Sequence, residues 1–301
     1  MIDVRRLRVL LAVRENGGVG AAARALDFTS PAVSQQIAAL ERQVGRPLLD
    51  RTSHRARLTP AGERLAEHAA AVLARLEEAE SDLAGFGGRG PVGVVAVGSI
   101  PTVGRAALPD VVRRLVETAP DLRLRIEQAE PEDSLPAVAR GDLDVAVMSQ
   151  YSRTPRRRDY RLEWHTLAEE PLLVALPAHH ALAGGDIALA ALSDQPWIAP
   201  ADPSSCFTML QRSCAAAGFE PLIVGHCADF AMALALVGAG QGVALVPAIA
   251  TTGEPADGVH LARITDVPAS RTLYAATRHG TAGHPGIAAF VSALRWWWAV
   301  R

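Results

Sequence analysis

The amino-acid sequence predicts two parts. The first is a mainly α N-terminal winged helix-turn-helix with a long linker helix; the second is a C-terminal α/β domain of two Rossmann-like subdomains. Three observations predict this. Two short apolar-periodic helices between Val19 and Val44 are separated by Asp27-Phe28-Thr29-Ser30-Pro31 and followed by an arginine-rich loop. A run from Ala61 to about Phe86 then contains no helix breaker except Gly62. From Val92 onward short β-type runs alternate with helical patterns, as in repeated βα units.

In the helical pair, Ala22, Ala23 and Leu26 put small and apolar groups on one face, so a second helix can cross closely. Thr29 suits the N-cap of that second helix, because its hydroxyl accepts an otherwise unpartnered backbone N–H. Pro31 falls in the first turn, where its missing N–H costs nothing. Val33, Ile37, Leu40 and Val44 recur at helical spacing, with Gly45 as C-cap. Thr29, Ser30, Pro31, Ser34 and Gln35 cluster at the end of the helix that enters the major groove in helix-turn-helix proteins. Glutamine can pair bidentately with adenine there. Arg51, Arg55 and Arg57 follow in a short loop suited to phosphates or the minor groove. The expected partner is double-stranded DNA.

Thr59-Pro60 reads as the cap and first position of the long helix. Leu65, Ala69, Val72, Leu76, Ala79 and Leu83 form a stripe at spacings of three and four, close to a coiled-coil seam. Gly85 to Gly90 reads as a hinge ended by Pro91. In the α/β part, strands are expected at 92–98, 122–128, 143–148, 172–176, 223–227 and 243–246. Helices are expected at 105–118, 133–140, 209–217 and 230–239. A mostly parallel sheet follows from that alternation.

At this point the chain resembles the LysR-type transcriptional regulators. The residues that carry the likeness are Leu7, Ala22-Ala23, Leu26, Pro31-Ala32, Ser34, Ile37, Leu40-Glu41, Gly45, Leu48, Arg51, Leu58-Thr59 and Gly62. It departs at Gly18-Val19-Gly20, where the family usually has a hydroxyl-bearing entry, at Ser30 in place of a frequent Gln, and at Leu49 in place of Phe. Leu108-Pro109, Gly141-Asp142-Leu143-Asp144-Val145, Gly218-Phe219 and Gly240 to Pro247 match the family's periplasmic-binding-protein-like effector domain. The resemblance implies a DNA-binding domain at 1–58, a linker and hinge at 59–90, and an effector domain at 91–301. Within the last, one subdomain covers about 91–162 and 268–301, and the other about 163–267. It also implies a homodimer through the linker helix, and tetramers.

The expected effector is a small polar molecule, such as a carboxylate, held between the halves. Helix N-termini offer unpaired N–H groups to anions. Ser99, Thr102, Ser204, Ser205 and Thr208 add hydroxyls at two such starts, although ordinary N-capping would use the same groups. Ile100, Met148, Ser149, Phe207 and Pro247 are the further wall candidates. Peroxide-sensing members of the family carry a cysteine pair placed like Cys206 and Cys214, so a thiol-based redox sensor is an alternative. Eight residues of helix, about 12 Å of rise, separate the two. An α/β enzyme or binding protein with a fused DNA-binding module is the other alternative.

Composition excludes several classes. Residues 1–64 hold 11 arginines against 6 acidic residues, and the remainder 19 against 26. A basic head on an acidic body suits DNA contact by one end. Every basic residue is arginine. No apolar run long enough to span a bilayer and no signal-peptide core is present, so a cytoplasmic protein is expected. No HExxH, Walker A or GxSxG motif stands in its required context, so neither catalytic residues nor a metal or cofactor are expected. His179-His180 reads as a solvated turn, Arg156-Arg157-Arg158 as a solvated loop, and Trp296-Trp297-Trp298 as a helix segment with one or two rings in the core.

Overall fold

The computed structural model describes residues 2–50, 57–85, 90–155, 159, 161–252 and 257–300, without the side chains of residues 74, 77, 78 and 80–85. The head opens with α1 (Val4–Glu15), capped by Asp3, whose carboxylate accepts from the Arg5 backbone N–H. α2 (Val19–Ala25) starts at Gly18 with no side-chain cap, as its glycine-rich entry implies. The turn after it holds Asp27 at φ +53°, a left-handed conformation that aspartate tolerates. α3 (Ser30–Val44) begins where Thr29 Oγ1 accepts from Ala32 N at 3.3 Å, and ends at Gly45 with φ +68°. Val33, Ile37 and Leu40 are fully buried with Ala22, Ala23 and Leu10.

β1 (Leu49–Asp50) and β2 (Arg57–Leu58) pair antiparallel as the base of the wing. The wing tip, including Arg51 and Arg55, lies outside the described residues. Glu41 Oε1 accepts from Leu48 N and Leu49 N, which ties the wing to α3. α4 (Pro60–Gly85) is capped by Thr59, whose hydroxyl accepts from Gly62 N and donates to the Pro47 carbonyl. The expected stripe along α4 splits. Ala66, Ala69, Ala70 and Leu73 are buried in the head's own core, with Leu65 packed beside them. Val72 (44% exposed), Leu76 (39%) and Ala79 face outward.

The α/β part runs β3 (Gly93–Ser99), α5 (Pro101–Ala106), α6 (Leu108–Thr118), β4 (Leu122–Gln128), α7 (Pro131–Arg140), β5 (Val145–Tyr151) and β6 (Leu162–Pro177). It continues through β7 (Pro196–Pro200), α8 (Ser205–Ala216), β8 (Leu222–Cys227), α9 (Phe230–Gly238), β9 (Ala244–Pro247), β10 (Val259–Arg263), β11 (Ser270–Arg278) and α10 (Pro285–Ala299). The single helix expected over 105–118 is two, α5 and α6, joined at Ala107.

The main sheet has the order β10-β6-β11-β5-β3-β4, with β9 also on β6. β3 is parallel to β4 and β5, and β7 is parallel to β8. β6, β9, β10 and β11 pair antiparallel, so the sheet is mixed rather than mostly parallel. The reason is connectivity. β6 carries the chain from the first lobe to the second and β11 carries it back, so the two run opposite ways. The first half of β6 pairs with β11, and its second half with β9 and β10.

Each lobe buries an apolar layer on both faces of its strands. In α10 Trp297 is buried and donates from Nε1 to Asp110 Oδ2 at 2.9 Å. Trp296 and Trp298 are half-buried, and the Arg114 guanidinium stacks on Trp296 at 4.2 Å. Among the described residues no helix is long and apolar enough to cross a membrane.

Candidate functional site

Two surfaces carry the candidate chemistry. On the head, Thr29, Ser30, Pro31 and Gln35 are exposed and Ser34 is half-buried, all within the first turns of α3. Because Val33, Ile37 and Leu40 are buried on the opposite face, the helix presents this edge outward. Arg57, on β2, is also exposed. The Thr29 hydroxyl is spent on capping, so it positions the helix start instead of offering a free group.

Between the lobes lies a cavity of about 320 Å³. It sits beyond the carboxyl ends of β3, β5, β7 and β8, where doubly wound sheets hold ligands. Its size is near the lower end of the ~300–1,000 Å³ typical of small-molecule pockets. Four helix starts meet there, those of α5, α7, α8 and α9, with Ile100, Glu130, Ser204 and Asp229 at their N-caps. Backbone N–H groups left uncapped at these starts favour an anion, while Glu130 and Asp229 put carboxylates at two of the caps.

Of the expected wall residues, Ile100, Thr102, Ser149, Ser204 and Ser205 line this cavity. Ser204 is also a helix cap, its Oγ accepting from Phe207 N at 3.0 Å. Four others are placed elsewhere. Met148 points to the opposite side of β5 from Ser149 and is packed with Leu135 and Leu143. Ser99 is buried and donates to the Ile100 carbonyl. Phe207 belongs to the core of the second lobe, edge-on to the His226 ring. Pro247 closes β9 opposite Leu172.

Part of the floor is made by residues that the sequence did not single out. Arg271, 1% exposed, lines the cavity at the start of β11. Its Nε donates to Glu170 Oε1 at 2.7 Å, one terminal nitrogen to the Tyr151 hydroxyl at 3.3 Å, and the other to Thr102 Oγ1 at 3.1 Å. Glu170 Oε2 accepts from the Ile249 backbone N–H at 2.7 Å. One buried ion pair thus ties α5, β5, β6, β11 and the segment after β9. The signal for it is strand parity. Arg271 alternates with Leu273 and Ala275 on a buried face, where a charge demands a partner.

Burial pushes the Tyr151 hydroxyl up from its ordinary value. Burial likewise holds the Cys206 thiol at about 11 and the Cys214 thiol at about 12. Both cysteines are buried in α8. A reactive thiolate needs a lowered pKa, so this geometry disfavours the redox alternative. Burial also raises the Glu130 carboxyl, partly offset by the charge of Arg271.

A helix-turn-helix on a basic head and a ligand-sized cleft in a two-lobed α/β body are the architecture of a DNA-binding regulator with an effector-binding domain. Comparison with known proteins gives the particular family. Residues 4–63 match the bacterial regulatory helix-turn-helix protein of the lysR family, and residues 88–299 match the LysR substrate binding domain. The chain belongs to the LysR family of transcriptional regulators. It is 30% identical to the transcriptional regulator AlsR of Bacillus subtilis, over 83% of this chain and 82% of that protein. It is 32% identical to the regulator IlvR of Caulobacter vibrioides, over 82% and 83% of the two chains. A full-length OxyR variant of Pseudomonas aeruginosa shares the fold, with a TM-score of 0.78, 22% identity, and coverage of 98% and 95%.

Proposed function

We propose that Ser30, Ser34 and Gln35 read base edges in the major groove, while Arg51, Arg55 and Arg57 hold phosphates or the minor groove. The N-terminal 58 residues form the DNA-binding unit, residues 59–90 the linker and hinge, and residues 91–301 the effector domain. Two copies pair through α4. The outward Val72, Leu76 and Ala79 support this, since they form an apolar stripe at helical spacing that the chain itself leaves uncovered. Two such dimers assemble as a tetramer on a pseudo-palindromic site in the cytoplasm. A small polar effector enters the cleft between the lobes. It changes the assembly only through different affinity for two arrangements of the lobes.

The observation that carries this reading is the cleft itself, with four helix starts converging around one buried arginine. The test is binding of the full chain to DNA upstream of its own and neighbouring genes, with a salt titration and unrelated competitor DNA. Specific, salt-sensitive binding at two half-sites is expected. Absence of binding at low salt refutes the proposal.

A further inference from the structure

The cleft is electrically two-ended. Its floor is donor-rich. Thr102, Ser149, Tyr151 and Arg271 are all buried there, under the starts of α5 and α8. A guanidinium has five N–H groups, and among the described residues Arg271 makes three hydrogen bonds.

The lip carries three carboxylates, Glu130, Glu132 and Asp229. Two of them are engaged. Asp229 caps α9 by accepting from Ala231 N at 3.0 Å, and it lies 3.8 Å from Arg105. Glu132 has a partner of its own. Glu130 differs. It stands at the N-cap position of α7 but makes no capping bond, and among the described residues its carboxyl has neither a hydrogen bond nor a salt bridge.

Charge decides the ligand class. Arg271 is already neutralised by Glu170 and Asp229 stands beside Arg105, so Glu130 leaves the lip acidic. A plain carboxylate would add a further anion to it. A plain amine would leave the donors of the floor unanswered. Between the ends the walls are apolar, with Ile100, Pro101, Pro131, Pro203 and Phe230.

We propose that the effector is a small zwitterion with an apolar body, its acid group on the Arg271 floor and its ammonium against Glu130. This rests on the reading of the cleft as the effector site.

The experiment measures thermal stabilisation of the full-length protein by each of the twenty protein amino acids. For every one that stabilises, the matched acid and amine are compared with it; for L-leucine these are isocaproate and isoamylamine. A zwitterion is expected to bind about tenfold or more tightly than either analogue, the worth of one charge-assisted contact. In Glu130→Gln the zwitterion should weaken to the level of its acid analogue, while the acid analogue itself does not weaken. Glu130 is at the surface, so this variant folds. Equal affinity for zwitterion and acid overturns the inference. So does an unchanged preference in Glu130→Gln, or stabilisation by no amino acid. The same preparation is tested on upstream DNA. Specific DNA binding without an amino-acid response removes this inference alone, whereas loss of DNA binding removes the regulator reading beneath it.

Discussion

Replacing Arg271 by Met leaves the Glu170 carboxylate alone at a site where it is 5% exposed. Breaking a buried ion pair by removing one partner costs about 3–5 kcal/mol, because the remaining charge stays buried. For a domain of this size each kcal/mol lowers the melting temperature by about 2–4 °C, so a fall of roughly 6–20 °C is expected. The double variant Arg271→Met/Glu170→Gln removes the orphaned charge. Its amide oxygen still accepts the Ile249 N–H that Glu170 now accepts at 2.7 Å. Its loss should therefore be about 1–2 kcal/mol, from the bonds to Tyr151 and Thr102. All five tryptophans lie beyond residue 90, so urea unfolding followed by their fluorescence reports on this domain. A loss under about 1 kcal/mol in the single variant, or a double variant no more stable than the single, refutes the account.

Further predictions concern the head, the linker and α8. Gly62→Ala places a Cβ 2.3 Å from the Leu48 carbonyl oxygen; destabilisation of the head by about 1–3 kcal/mol is expected in circular-dichroism melts. Ala at Ser34 and Gln35 together should lower discrimination between cognate and scrambled DNA, whereas Arg57→Ala should weaken both alike and reduce the salt slope by about one. Val72→Glu with Leu76→Glu should shift the chain toward monomer in sedimentation, and an unchanged assembly would exclude α4 as the pairing surface. Cys206, with its thiol near 11, should react slowly with iodoacetamide at neutral pH and faster as the pH rises toward that value; rapid neutral labelling seen by mass spectrometry would contradict its burial.

The head was legible in the sequence because its determinants are local. Thr29, Pro31 and Gly45 each act on backbone within four residues, and Ala22, Ala23, Val33 and Ile37 declare one helix crossing. The same holds for half of the cleft. Ile100, Thr102, Ser204 and Ser205 lie at helix starts, which short stretches reveal. The rest depends on register between distant strands. Arg271 meets Glu170 and Tyr151 across 101 and 120 positions. β11 was not among the expected elements, and α10 was expected only as a helix segment around its three tryptophans. Nor was the first half of β6 expected, where Glu163, His165 and Glu169 obscure the strand pattern. Met148 illustrates how narrow the margin is, since a shift of one residue along a strand exchanges core for cavity. In α4 the spacing marked an apolar helix correctly but did not tell which stripe the head would cover.

The route of the chain through the body also sets an order in time. The strands of the second lobe that follow the crossover, together with α8 and α9, form one uninterrupted stretch, so they can close as soon as they are made. The first lobe must wait, because β11 belongs beside β5 and is synthesised much later. Arg271 emerges 120 residues after Tyr151, about 6–24 s at ribosomal speeds of roughly 5–20 residues per second. Throughout that interval Val145–Tyr151, buried along nearly its whole length in the finished protein, has one open edge. Nascent chains cut between Tyr151 and Ser270 should therefore aggregate or bind chaperones, and chains that run through β11 and α10 should not.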